Sequence, residues 1–183
     1  MSQEQKSKIR THFFNKRLNF DSVFVKNESN KICQKAIEYL KSKKYAKNIA
    51  VYFSINNELK LDLLQEFLEQ NNYQIFLPKI TIKNLEFGTL SKENLINNPK
   101  IQKIIEPKNI TDEIMDIVFC PLVSFDKNNN RIGMGGGLYD CLIEKYRKNN
   151  YKTKFIGIAY EEQFFDSLLP IEKFDQKLDL IIS

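Results

Sequence analysis

The run Arg131-Ile132-Gly133-Met134-Gly135-Gly136-Gly137-Leu138-Tyr139-Asp140 concentrates the groups in this chain best suited to chemistry. Four of the six glycines fall within five residues there. Glycine at that density costs backbone entropy and buries no side chain, so the segment reads as one that needs unusual backbone angles or a close approach to a ligand. Residues 138–146 then carry the apolar spacing of an amphipathic helix. A glycine turn feeding a helix start presents unpaired N–H groups and the positive end of the helix dipole, which suits phosphate. Arg131 adds a cationic fork before the loop. Asp140, in the first helical turn, is either a magnesium ligand or a helix cap. A glycine-rich surface turn with no ligand is the alternative.

The loop is not a standard nucleotide signature. Walker A requires Lys-Ser or Lys-Thr after its glycines, and none follows here. The dinucleotide pattern fails because Leu138 stands at its third glycine, and that turn belongs early in a fold rather than late. His12 is the only histidine and lies in a polar helix with no nucleophile elbow, so the sequence argues strongly against a hydrolytic triad. One histidine and three scattered cysteines (Cys33, Cys120, Cys141) make neither a zinc site nor a disulfide framework. Magnesium stays open, since it needs only one or two carboxylates beside substrate phosphates.

Other candidates sit where strands should end. Glu58 follows a strand and precedes a helix, either as favourable charge at a helix start or as a carboxylate for a substrate N–H. Lys79, directly after Pro78, could reach phosphate or a substrate carboxylate. Lys8 and Arg10 in the first helix could cover the same mouth. Phe53, Tyr52, Phe87 and Tyr139 could supply a flat apolar wall or simply fill a core. Asp126, before a turn, is a weaker metal candidate because such residues are often structural.

The elements that must position these groups form a repeated rhythm. Residues 4–18 and 30–43 have helical spacing. Short apolar strands are expected at 48–53, 73–78, 116–120, 153–159 and 178–182, with helices at 59–70 and 138–149. Residues 84–112 are polar and irregular, with a small strand at 85–87, and 123–125 pairs with 131–132 across the Asn128-Asn129-Asn130 turn. This pattern predicts a three-layer α/β/α sandwich with a mostly parallel central sheet and a small hairpin near the site, built as one domain over residues 1–183. Ligands of such sheets bind beyond the carboxyl ends of the strands, where the candidates fall. The polar start and the lack of any run of transmembrane length lead to the expectation of a soluble, cytoplasmic protein. A formal charge of +5 is mild and dispersed, and suits a polyanionic small molecule as well as RNA.

The glycine run resembles the hallmark of 5-formyltetrahydrofolate cyclo-ligases, also called 5,10-methenyltetrahydrofolate synthetases, whose pattern is roughly R-[LI]-G-x-G-x-G-x-Y-D. Phe125-Asp126, Leu77-Pro78-Lys79 and Glu106-Pro107 sit at family-like distances, and Lys8-Ile9-Arg10 resembles the N-terminal K-x-x-L-R element. Ile156 to Gln163, then Leu169-Pro170 and Asp175, look like the closing segment, so the likeness covers nearly the whole chain. It departs at Cys141, where arginine is common, and at Phe174, which replaces a frequent histidine.

The resemblance implies ATP- and magnesium-dependent conversion of 5-formyltetrahydrofolate to 5,10-methenyltetrahydrofolate with release of ADP and phosphate. It implies that Arg131, Gly133, Gly135, Gly136 and Gly137 hold the ATP phosphates, with Lys8 reaching in, and that Arg131 and Asp140 are the catalytic pair, Asp140 binding the metal. Glu58 would engage the reduced folate, Phe53, Phe87 and Tyr139 would line its cavity, and Lys79 would lie near it. The implied partner is a reduced folate, its polyglutamate length left open; a monomer that binds neither nucleic acid nor membrane is expected. Two rivals remain at this point: another ATP-dependent kinase or ligase using the same loop, and a noncatalytic RNA-binding protein. The second lacks an RRM, KH or zinc signature.

Overall fold

A computed structural model describes residues 3–81, 84–98 and 104–183. Two helices open the chain, α1 (Gln3–Leu18) and α2 (Ser22–Lys41), followed by β1 (Asn48–Ala50), α3 (Asp62–Gln70), β2 (Gln74–Ile80) and β3 (Leu85–Thr89). A ribbon of β4 (Leu95–Asn97) and β5 (Ile105–Pro107) comes next, then β6 (Ile117–Pro121). The hairpin β7 (Ser124–Phe125) and β8 (Arg131–Ile132) leads into α4 (Leu138–Lys148), and β9 (Lys154–Ile158) and β10 (Leu180–Ile182) close the chain. The central sheet has the order β10-β9-β6-β1-β2-β3, parallel throughout except that β3 runs antiparallel to β2.

Alternation along the strands builds two cores from one sheet. Ile49, Ile75, Leu77, Ile117, Phe119, Ile156 and Ile158 face one layer, where Ile32, Ala36 and Leu40 of α2 and Leu64 and Leu68 of α3 cover them. Ala50, Phe76, Val118, Cys120 and Phe155 point the other way, against Leu142, Ile143 and Tyr146 of α4. The inner strands β1, β6 and β9 are thus covered on both faces, which is why their sequences read as nearly unbroken apolar runs. Among the described residues no helix is long and apolar enough to cross a membrane.

Three departures from the sequence expectations have local causes. The second helix begins at Ser22 rather than residue 30, because the Asp21 side chain caps it by accepting from the backbone N–H of Val23 and Phe24 at 2.8 Å. The first strand is shorter than expected, leaving residues 51–58 as a loop at the carboxyl edge of the sheet. The described residues of the span, 84–98 and 104–112, are more regular than their polarity suggested: β3 extends the small strand to Thr89, and β4 pairs with β5 through Ile96 opposite Glu106. Buried Asn94 anchors that region, donating to Thr89 O at 3.0 Å and accepting from Asn109 N–H at 2.9 Å. Polar residues that satisfy backbone groups order a segment as surely as apolar ones.

The expected hairpin forms, with Ser124 opposite Ile132 and Phe125 opposite Arg131. Asp126 is its keystone. One carboxylate oxygen accepts from Asn128 N–H (2.9 Å) and Asn130 N–H (3.0 Å), the other from the Asn130 side chain (2.9 Å) and Leu169 N–H (3.0 Å). Burial works against its charge, but the bonds from Asn130, Leu169 and Asn128 outweigh it and hold the pKa below the ordinary carboxylate value. The carboxylate is engaged in holding the turn rather than turned toward a cation. Its contribution is therefore complete above the ordinary carboxylate pKa and is lost as pH falls through the depressed folded value. Asp126→Ala orphans buried N–H groups and should lower the unfolding free energy by about 3 kcal/mol. Urea denaturation near neutral pH measures this, and a loss smaller than about 1 kcal/mol would remove the keystone role.

Candidate active site

Beyond the carboxyl ends of β1, β2 and β6 lies a cavity of about 1180 Å³, roofed by α1 and closed on one side by the glycine loop and α4. A single drug-sized ligand site spans roughly 300–1,000 Å³, so this cavity is larger than one such ligand needs.

One end is cationic. Gly135 has φ +98° and Gly137 φ +65°, angles that L side chains rarely adopt, so the loop needs glycine at both positions. Gly137 stands at the start of α4 without a side-chain cap, and the first-turn residues Leu138, Tyr139 and Asp140 line the cavity, which suits an anion at that helix end. The Arg10 guanidinium crosses the loop, its Nε donating to Gly133 O at 2.7 Å. Lys6, nearly buried, pairs with Glu172 at 2.9 Å and, more closely, with Asp175. Burial opposes the Lys6 charge, but Asp175 and Glu172 outweigh it and raise its pKa, so Lys6 is a cation at neutral pH.

Arg131 and Asp140 meet across the loop. Arg131 donates through Nη2 to Asp140 Oδ1 at 3.0 Å and through Nη1 to Gln176 O at 2.5 Å. The same Oδ1 accepts from Gln176 N–H at 2.9 Å, and among the described residues neither contact uses Oδ2. Asp175, Glu172 and Glu144 also line this end. No cluster of three or more His, Cys, Asp or Glu close enough to hold a metal occurs among the described residues. Magnesium does not require one, because phosphate oxygens and water complete its octahedron. Asp140 Oδ2, left unused by these contacts beside the glycine loop and the start of α4, therefore fits that ion.

The other end is apolar and acidic. Tyr52, Phe53, Ile55, Pro78, Ile80 and Leu85 surround Glu58, which is 8% exposed. Asn56 and Asn57, both at positive φ, fold residues 54–58 into a tight loop, and asparagine tolerates that region better than most residues. The Asn57 amide fastens the loop to the α1–α2 corner by donating to Phe20 O at 3.0 Å. Ile55 N–H donates to Glu58 Oε2 at 3.2 Å. Burial pushes the Glu58 pKa up, partly countered by Arg17 and by Ile55 N–H.

Of the residues expected from sequence, Phe53, Glu58, Arg131, Gly133, Gly135, Gly136, Gly137, Tyr139 and Asp140 line this one cavity. Three expected residues lie apart from it. Lys8 points to solvent, 76% exposed in its side chain, and pairs with Glu4 at 2.7 Å. Lys79 donates to Lys108 O at 2.5 Å, because strand alternation turns it away from the face that Pro78 and Ile80 present. Phe87 is buried in the core under α4. Lys6, which also lines the cavity, was not among the expected residues. The signal for Lys6 was present: it is four residues before Arg10, on the same helix face, whereas Lys8 is only two away and points elsewhere. The two departures from the family pattern, Cys141 and Phe174, both reach the cavity mouth, and Phe174 is 73% exposed.

A doubly covered, mainly parallel sheet with a capless, glycine-led helix start and basic side chains at one cavity defines an α/β protein whose glycine loop opens onto the strand ends. The 5-formyltetrahydrofolate cyclo-ligase family matches residues 2–183, and the chain belongs to that family. Its relatives include the 5-formyltetrahydrofolate cyclo-ligases of Haemophilus influenzae, 31% identical over 100% of both chains, and of Mycoplasma pneumoniae, 32% identical over 97% of this chain and 98% of the relative. Among solved structures it is similar to a 5,10-methenyltetrahydrofolate synthetase from Mycoplasma pneumoniae (TM-score 0.75, 29% identity, 97% of each chain). It is also similar to the synthetase of Aquifex aeolicus (TM-score 0.78, 27% identity, 97% of this chain and 88% of that one).

Proposed function

We propose that this chain closes the ring of 5-formyltetrahydrofolate to give 5,10-methenyltetrahydrofolate, the substrate and product that the names of its relatives state for them, and that it does so at the expense of ATP. The observation that carries the reading is the division of one cavity into a cationic, glycine-lined end and an apolar end holding a buried carboxylate. The first end takes the ATP phosphates on the Gly133–Gly137 backbone, the α4 N-terminus, Arg131, Lys6 and Arg10. The second takes the folate between Phe53, Tyr52 and Tyr139, with Glu58 accepting from an N–H of the pterin. Asp140 would hold magnesium, which would supply positive charge to offset that of the phosphates.

The chemical obstacle is an amide-like formyl carbonyl, which is a poor electrophile. Transfer of the γ-phosphoryl group to the formyl oxygen converts that oxygen into a leaving group. N10 then attacks the formyl carbon and loses its proton, the C–O bond breaks, and phosphate departs with its electron pair. The protein's part is alignment and charge stabilisation, which fits a cavity rich in basic groups and backbone N–H donors. The reading extends to a cytoplasmic monomer acting on folates with or without a polyglutamate tail. Purified protein with ATP, magnesium and authentic 5-formyltetrahydrofolate should show growth of the methenyl product's absorbance together with equimolar ADP. Folded protein that hydrolyses ATP with no methenyl product would reject this assignment in favour of another phosphoryl acceptor.

A further inference from the structure

Arg17 is 1% exposed, among the largest fully buried side chains of the molecule, although α1 otherwise offers its cations to solvent or to the cavity mouth. Burying a guanidinium is costly unless its donors are used. Here Nε donates to Asn56 O at 3.1 Å and Nη1 to Leu122 O at 3.0 Å, while Nη2 lies 3.6 Å from Glu58 Oε1 with no hydrogen-bond partner among the described residues. The Phe14 ring packs 5.6 Å from the guanidinium. Asn56, Glu58 and Leu122 all line the cavity, and they come from two separate segments, the loop after β1 and the turn after β6. One rigid fork thus ties α1 to both. We propose that Arg17 is a positioning residue for the folate-facing end, holding the 54–58 loop and aiming the Glu58 carboxylate without itself touching substrate. This rests on the cyclo-ligase reading of the cavity.

The electrostatic surroundings support that role. The titratable groups that act on Glu58 are Arg17 from α1, Tyr52 after β1, Tyr139 of α4 and Tyr160 after β9. The three phenols are held neutral by burial, so Arg17 is the cation in this set. Desolvation alone would favour a protonated Glu58, and Arg17 opposes it. A guanidinium can brace two carbonyls and a carboxylate at fixed angles, which a lysine ammonium cannot reproduce.

The test compares Arg17→Met and Arg17→Lys in the natural background and with Glu58→Gln, following methenyl formation from about pH 5 to pH 9. Arg17→Met should lower kcat/KM for the folate by about tenfold to a hundredfold, chiefly through KM, with the KM for ATP near that of the unaltered protein. Its acid limb should move to higher pH as Glu58 becomes harder to ionise. Arg17→Lys should keep the acid limb in place while recovering only part of kcat/KM. With Glu58→Gln present, Arg17→Met should add little. An equal loss in both backgrounds, or an unchanged folate KM in Arg17→Met, overturns the proposal. Should Arg17→Met not fold, the unaltered protein decides: the Arg17 guanidinium resonances must shift with the Glu58 titration by NMR, and resonances indifferent to it sink the pairing. An unaltered protein that makes no methenyl product counts against the cyclo-ligase reading, while the NMR titration still judges the Arg17–Glu58 pair.

Discussion

Gly135→Val should abolish most ATP binding while leaving the α/β core folded, with affinity falling by about a hundredfold, or nearly 3 kcal/mol. Two effects act together. At φ +98° a β-branched residue is strained, and the loop must abandon its shape or carry a cost of roughly 1–3 kcal/mol. An added Cβ would also lie 3.4 Å from Arg10 Cζ, and its methyl groups would push against the guanidinium that braces Gly133 O. The loop is exposed and stands outside both core clusters, so the damage stays local. Gly136→Ala separates strain from crowding: a Cβ there meets only Leu138 Cγ at 3.7 Å, so any loss of affinity in that variant reflects the ligand's need for space. Calorimetric titration with ATP measures both. Unaltered affinity in Gly135→Val, with the fold confirmed by circular dichroism, would move the phosphates away from this loop.

Asp140→Asn should reduce magnesium-supported turnover on the order of a hundredfold, equivalent to about 3 kcal/mol of charge stabilisation. Asparagine retains an oxygen able to accept from Arg131 Nη2 and Gln176 N–H, so the contacts that shape the site survive. What disappears is the negative charge and with it the hold on a divalent cation. Loss of a carboxylate from the first turn of α4 costs the helix only about 0.3–1 kcal/mol, so thermal unfolding should change little. Magnesium dependence of nucleotide binding gives a readout independent of turnover. A variant with an ordinary magnesium titration and near-normal turnover would leave Asp140 as a structural partner of Arg131 alone.

What could be read along the chain was whatever depends on near neighbours. The glycine run and the helix behind it were legible because glycine density and apolar spacing act within one or two turns. The strands were legible because burial on both faces leaves an apolar run, and their alternation with helices specified a covered parallel sheet. The ribbon of β4 and β5 escaped notice because Asn94 and Glu106 stabilise it through polar bonds, which hydropathy does not register. Lys6 and Arg10, one helical turn apart, share the face that meets the cavity, whereas Lys8 lies on another.

Only the tertiary structure could decide the long-range partners. Lys6 meets Glu172 across 166 residues, Arg10 meets the Gly133 carbonyl across 123, and Arg17 meets Glu58 across 41. A lone basic residue on a helix has the same local signature whether it ends in solvent, over a phosphate loop or under a carboxylate. Periodicity states which face a side chain takes, whereas the packing of α1 across the strand ends states what that face meets. The same holds for Lys79 and Phe87, whose positions beside the cavity were foreseeable while their directions away from it were set by strand pairing and core closure. The chemistry of the loop was therefore written locally, and the identity of the groups that surround it was decided by contacts that exist only once the chain has folded.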